Sequence, residues 1–175
     1  MFSALLPAFL LSSLTLAAPQ WPGPNYQGHQ QCSQAVVALA AGIHLNIQGQ
    51  YSEFNGTVNL INIESASSVN QTAFYIAKGE LLSDIQAGMN IRLFNQEIAP
   101  TGNAAIAGLA KYEAAQQTEQ ALAEDLTGVY AVDVTALDSL KSDITAGIQL
   151  NEENLKNATQ DCVLTVVFPP ANLSA

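Results

Sequence analysis

Two histidines, His29 and His44, and 15 acidic side chains are the residues here whose types invite chemistry. For a helical chain the first possibility is a carboxylate-bridged pair of metal ions, which needs two Glu-x-x-His pairs on facing helices. Tyr26 stands three before His29 and Ala41 three before His44, so neither histidine completes that pair. Glu80, Glu113, Glu119 and Glu124 fall on different helical turns and read as ordinary solvated acids. His44 lies off the apolar stripe of its helix and reads as an edge residue rather than a ligand. No metal site is expected.

A nucleophile is equally hard to place. The chain has no G-x-S-x-G elbow, and its two cysteines, Cys32 and Cys162, are better used on each other than on a substrate. A glycosidase sets two carboxylates across a cleft. The adjacent pairs Glu124-Asp125 and Glu152-Glu153 instead diverge by about 100° on a helix. No glycine loop of the phosphate-cradling kind is present, and the scattered aromatics form no stacking ladder. We therefore expect no catalytic residue and no cofactor. A hydrolase would require acids from separate helices to converge in a cleft.

The charge balance narrows the partners. Acids outnumber bases 15 to 5, for a net charge of −10. Such a surface repels phosphate backbones and anionic membrane faces, so no nucleic-acid partner is expected. With 175 residues and 49% hydrophobic composition, the chain is long enough for one domain with its own core.

Residues 1–17 read as a secretory signal: a short apolar stretch from Leu5 to Leu16, then small residues at Ala17 and Ala18. The alternative, an uncleaved anchor, needs an apolar run of about 20 residues, which this stretch does not reach. No stable membrane span is expected, and the protein is placed outside the cell or at the cell wall. An oxidising compartment suits one disulfide between Cys32 and Cys162. In the chain-entropy picture, closing so long a loop is worth about 5 kcal/mol. The alternative is two unpaired buried thiols. Sequons at Asn55, Asn70, Asn157 and Asn172 are candidate glycosylation sites, read as lying near element ends or in loops.

The elements that would position these residues are helices. Residues 18–27 form a proline-rich lead-in, 28–162 the helical domain and 163–175 an extended apolar tail. Val36, Leu39, Ile43 and Ile47 give a first helix ending near Gly49. Residues 50–70 read as a loop with a short helix. A helix from about Gln71 to Ala99 buries Phe74, Leu81, Leu82, Ile85, Met89 and Leu93, and stops before Pro100 and Gly102. An alanine-rich helix follows over about Asn103–Leu126. The last opens at Asp133 or Thr135, where "TALD" has the form of a capping box. The expected fold is all-α, an up-and-down bundle of four to five helices closed by one end-to-end disulfide.

Two of these helices carry an echo. "SDIQAG" at Ser83–Gly88 recurs as "SDITAG" at Ser142–Gly147, and a shift of 59 residues also aligns Leu81 with Leu140 and Asn95 with Asn154. A fainter copy, "AGIHLN", begins at Ala41. Glycine inside a helix costs about 1 kcal/mol relative to alanine. Its recurrence at Gly42, Gly88 and Gly147 points to close helix–helix approach, with a ligand resting on bared backbone as the alternative. Duplicated hairpins would explain the pattern.

With chemistry absent, the apolar surface is what remains. Ile43, Ile85, Met89, Leu93, Leu109, Ile144 and Ile148 either form plain core or line a cavity for a fatty acid or sterol. A third arrangement lays the stripes on a hydrophobic surface. The phrases "AKGELLSDIQAGMNIRLFNQEIAP" and "GNAAIAGLAKYEAAQQTEQALAEDLTG", with the short signal, proline-rich lead and cysteine pair, resemble fungal small secreted proteins. The layout is similar to the hydrophobic surface-binding protein A and cell-wall galactomannoprotein group. That resemblance implies a helical bundle at the cell exterior that binds fatty acids or hydrophobic surfaces without covalent chemistry. The other expectation is a cell-wall or host-directed protein-interaction module working through its acidic exterior.

Overall fold

Ser33 starts the first helix by turning its hydroxyl back to accept the backbone N–H of Val36 at 3.3 Å. In the computed structural model, which describes residues 30–174, this helix (α1) runs unbroken over Gln34–Glu64. The signal and the whole of the lead-in lie outside the described residues. The expected stop at Gly49 and loop over 50–70 are both corrected. Buried positions continue at helical spacing through Ile47, Gln50, Glu53, Thr57, Leu60 and Glu64. Four of those six are polar, so the apolar period fades although the buried face does not.

The second helix, α2 (Gln71–Ile98), is capped by Asn70, whose side chain accepts from Ala73 N at 3.1 Å. The third, α3 (Ile106–Glu124), begins later than its alanine-rich composition suggests, because Asn103 Oδ1 takes the N–H of Ala105 in a turn. The fourth, α4 (Tyr130–Ala158), begins earlier than expected, and "TALD" is not its cap. Asp133 instead accepts from the backbone N–H groups of Thr127 and Gly128, each at 2.7 Å, and of Val129 at 3.3 Å. Gly128 sits in that turn at φ +80°, where a side chain would be strained and would strike the Phe74 ring. Four α-helices, and not five, therefore make up the described residues, with a short 3-10 helix at Ala171–Ser174.

Each helix packs on its neighbours in the order α1, α2, α3, α4 and back to α1, which is an up-and-down bundle. The Cys32–Cys162 disulfide is formed, with Cα atoms 4.8 Å apart and a sequence separation of 130. It ties the start of α1 to the end of α4. The connection from α2 to α3 lies at the same end, where Asn103 Nδ2 donates to Ala158 O at 3.0 Å. Beyond the disulfide, Val163 pairs with the Gln30–Cys32 segment as an isolated bridge, by two backbone bonds of 3.0 and 3.1 Å. The tail then runs extended over α1, where the Phe168 ring stacks on His44 at 4.8 Å between centroids. Among the described residues no helix is long and apolar enough to cross a membrane.

Candidate functional site

Apolar side chains fill both ends of the bundle, and in its middle Ile47, Ile85, Ile144 and Ile148 share the interior with polar ones. Leu39, Ile43, Ala105 and Leu109 pack near the disulfide; Leu60, Phe74, Leu81, Leu126, Leu137 and Leu140 pack at the other end. Between them Asn46, Gln50 and Glu53 of α1 are fully buried, as are Asn95 of α2, Gln116 and Glu119 of α3 and Asn151 of α4. Arg92 and Asn154 join them at 2% and 1% exposure. Burying polar groups costs free energy unless each finds a partner. Some do: Arg92 Nε donates to Gln116 Oε1 at 2.9 Å, Asn151 Nδ2 to Gln50 Oε1 at 3.0 Å, and Asn46 Nδ2 to Gly88 O at 3.3 Å.

The glycines explain how this polar layer fits. Gly42 lies against Asn95, Gly108 against Asn154, and Gly147 against Gln50 and Tyr112. A Cβ on Gly88 would come within 2.9 Å of Glu53 Oε1 and 3.1 Å of Gln116 Nε2. The notches expected at Gly42, Gly88 and Gly147 do face neighbouring helices. They receive amide and carboxyl side chains, a filling that a purely apolar reading of close approach misses.

These contacts repeat between the two hairpins. Moving 66 residues along carries Gly42, Gln50, Glu53 and Leu60 of α1 onto Gly108, Gln116, Glu119 and Leu126. Moving 59 carries Asp84, Gly88, Arg92 and Asn95 of α2 onto Asp143, Gly147, Asn151 and Asn154. Under that exchange the Arg92–Gln116 bond becomes the Asn151–Gln50 bond. The echo in α2 and α4 is therefore half of a repeat whose other half is G-x7-Q-x2-E in α1 and α3, a pattern absent from the sequence-based expectations. A scan at a second offset would have found it. The fainter copy at Ala41 relates α1 to α4 and has no counterpart in the contacts.

Glu53 and Glu119 are the most unusual members. Glu119 was expected to be solvated and is instead fully buried. No hydrogen-bond donor among the described residues reaches either carboxyl. Burial pushes Glu53 up to about 8, with the Asp84 charge adding to it. Burial likewise lifts Glu119 to about 8, reinforced by Glu53 and Asp143. Tyr112 stands beside both acids and is held above its usual range, first by burial and then by those two charges. Near the far end of the bundle Glu64 rises to about 7, first through burial and then through the charge of Asp133 beside it, and no hydrogen-bond donor among the described residues reaches its carboxyl.

The expected apolar residues divide. Ile43, Ile85, Leu109 and Ile144 are fully buried and Ile148 nearly so, while Met89 is partly covered. Leu93 is corrected: at 47% exposure it faces out, because Arg92 takes the buried position beside it. Outside, Ala38, Ala41, Gly42, Leu45, Ile91 and Phe94 line an apolar groove of about 540 Å³ between α1 and α2. Of the sequons, Asn70 caps α2 and Asn172 lies in the 3-10 helix, both exposed. Asn157 is in the last turn of α4. Asn55 is exposed but mid-helix, not in a loop, and its Thr57 is buried with its hydroxyl on Glu53 O at 2.9 Å.

Among the described residues no three His, Cys, Asp or Glu side chains gather as a metal ion would require. No family model matches the chain, and neither a curated protein nor a solved structure matches it significantly.

Proposed function

We propose that this is a secreted, non-enzymatic binding protein that takes up acyl chains on its outer face, in the manner of the surface-binding group it resembles. The observation that carries this reading is the apolar groove between α1 and α2. Its floor is made of Ala38, Ala41 and Gly42, and its walls are Leu45 and Phe94, which are 51% and 55% exposed. Large hydrophobic side chains left on the rims of a continuous groove mark a place where apolar surface is buried on binding. The polar layer argues that such a ligand sits outside the bundle, since hydrocarbon against Glu53 and Gln116 would leave those groups without water. The disulfide fits an oxidising, extracellular setting.

Titration of the protein at pH 5 with a fluorescent long-chain fatty acid tests this reading. Saturable binding weakened at least tenfold by Leu45→Asp or Phe94→Asp is the expected result. Both side chains are exposed, so these variants should keep the fold, which circular dichroism would check. Absence of saturable binding, or binding that ignores both substitutions, would remove the groove from the account.

A further inference from the structure

The two hairpins, α1–α2 and α3–α4, are joined at one end only. There the disulfide, the α2–α3 connection and the Asn103–Ala158 bond hold them together. At the far end each hairpin has its own turn, residues 65–70 and 125–129, and no covalent link crosses between them. What crosses is non-covalent: Lys78 Nζ donates to Glu124 O and Leu126 O at 2.6 and 2.8 Å, Gln71 Nε2 donates to Gly128 O at 3.5 Å, Glu64 lies beside Asp133, and the apolar core packs between the hairpins. Glu53, Glu64 and Glu119 all lie on the far side of the Asn151–Gln50 pair from the disulfide, between the hairpins.

We propose that the bundle is a proton-operated clip: with Glu53, Glu64 and Glu119 protonated the hairpins stay shut, and loss of those protons parts them at the end away from the disulfide. The geometry supplies little to hold the resulting charge. Glu53 feels the charge of Asp84 of α2, Glu119 of α3 feels those of Glu53 and of Asp143 of α4, and Tyr112 of α3 lies within reach of both acids and of Arg92 of α2. Arg92 is already engaged by Gln116, Gln96 and Glu113, and Lys141 lies over the Phe54 ring. Beside Glu64 is Asp133 of α4, and the Lys78 ammonium of α2 is spent on two carbonyls, Glu124 O and Leu126 O. The 3-10 helix packed on α1 brings no titratable group. Ionisation thus places acid against acid across the hairpin interface, in a medium where like charges repel strongly. Parting the hairpins admits water to all three carboxylates and bares Leu60, Leu126, Leu137 and Leu140. The raised values near 7 and 8 set the range in which this happens. The device stands whether or not the outer groove takes an acyl chain.

Pulsed electron–electron resonance on the disulfide-bonded protein, without ligand, reads the clip directly. One spin-label pair spans the free end (Ser67→Cys with Asp125→Cys) and a second spans the tied end (Ala35→Cys with Gln160→Cys). From pH 5 to pH 9 the free-end distance should lengthen and broaden while the tied-end distance holds. Combining Glu53→Gln, Glu64→Gln and Glu119→Gln should abolish the response. Should the triple variant not fold, Glu64→Gln alone, at the last residue of α1, should move the onset to higher pH. An unchanged free-end distance, equal lengthening of both pairs, or an onset indifferent to Glu64→Gln would each overturn the proposal.

Discussion

Asn151 on α4 donates to Gln50 on α1 at 3.0 Å, across 101 residues of chain, and Arg92 repeats that bond to Gln116 in the other half. The two bonds occupy corresponding places in a duplicated hairpin, yet one donor is neutral and the other charged. Among the described residues the polar layer therefore carries one buried cation against two buried acids, Glu53 and Glu119, with Glu64 and Asp133 buried further along, and the behaviour of the bundle follows from that imbalance.

Stability should fall as pH rises. A glutamate in the unfolded chain binds its proton near 4.5, whereas Glu53 and Glu119 hold theirs to about 8 and Glu64 to about 7. Between those limits the folded chain binds more protons than the unfolded one, so each unit of pH favours unfolding. The contribution is complete below about 4.5 and is lost as pH climbs through 7 and 8. Thermal melts should give a lower Tm at pH 9 than at pH 5. Glu119→Gln should recover much of the loss at pH 9 and change little at pH 5; a flat or rising profile in the parent protein would contradict this.

Glycine-to-alanine substitutions should sort by notch. Gly49 and Gly79 have nothing within 4 Å of an added Cβ, so alanine there should stabilise by about 0.5–1 kcal/mol through helix propensity. At Gly42 and Gly108 the added methyl displaces a buried amide, Asn95 or Asn154, and the same substitution should destabilise. Gly42→Ala combined with Asn95→Ala should recover part of the loss. Urea midpoints for the four single variants and this double would decide it.

Replacing Lys78 by alanine removes two hydrogen bonds, one to the last carbonyl of α3 at Glu124 and one to Leu126 O just beyond the helix, at 2.6 and 2.8 Å. A charged donor at a helix C-terminus also complements the helix dipole. A loss of about 1–2 kcal/mol is expected, with amide exchange quickening first around residues 120–129. Uniform acceleration through α1 and α4 would mean that Lys78 serves the whole fold rather than this end.

Reducing the disulfide, or making Cys32→Ala with Cys162→Ala, should cost about 2–5 kcal/mol. The tail should also detach, since Val163 and Phe168 are held just beyond Cys162. Protease cleavage after the disulfide, monitored by mass, should accelerate; a tail that stays protected would show that the His44–Phe168 stack suffices.

The helices were legible from sequence where their buried face was apolar, as in α2 with Phe74, Leu81 and Ile85. They were misread where it was polar: α1 continues past Gly49 on Gln50, Glu53 and Thr57, residue types that ordinarily mark a solvated surface. Leu93 failed for the converse reason, because apolarity predicts burial only until a longer neighbour such as Arg92 claims the position.

What the chain's linear order determined was its helical character, the pairing of Cys32 with Cys162 and the glycine notches, because spacing, redox chemistry and backbone cost are local properties. Which side chains would fill those notches was decided only in three dimensions. An amide or carboxyl becomes interior when helices distant in sequence enclose it, and no local pattern records that enclosure. The polar layer, the stranded acids and the groove between α1 and α2 all belong to that second class.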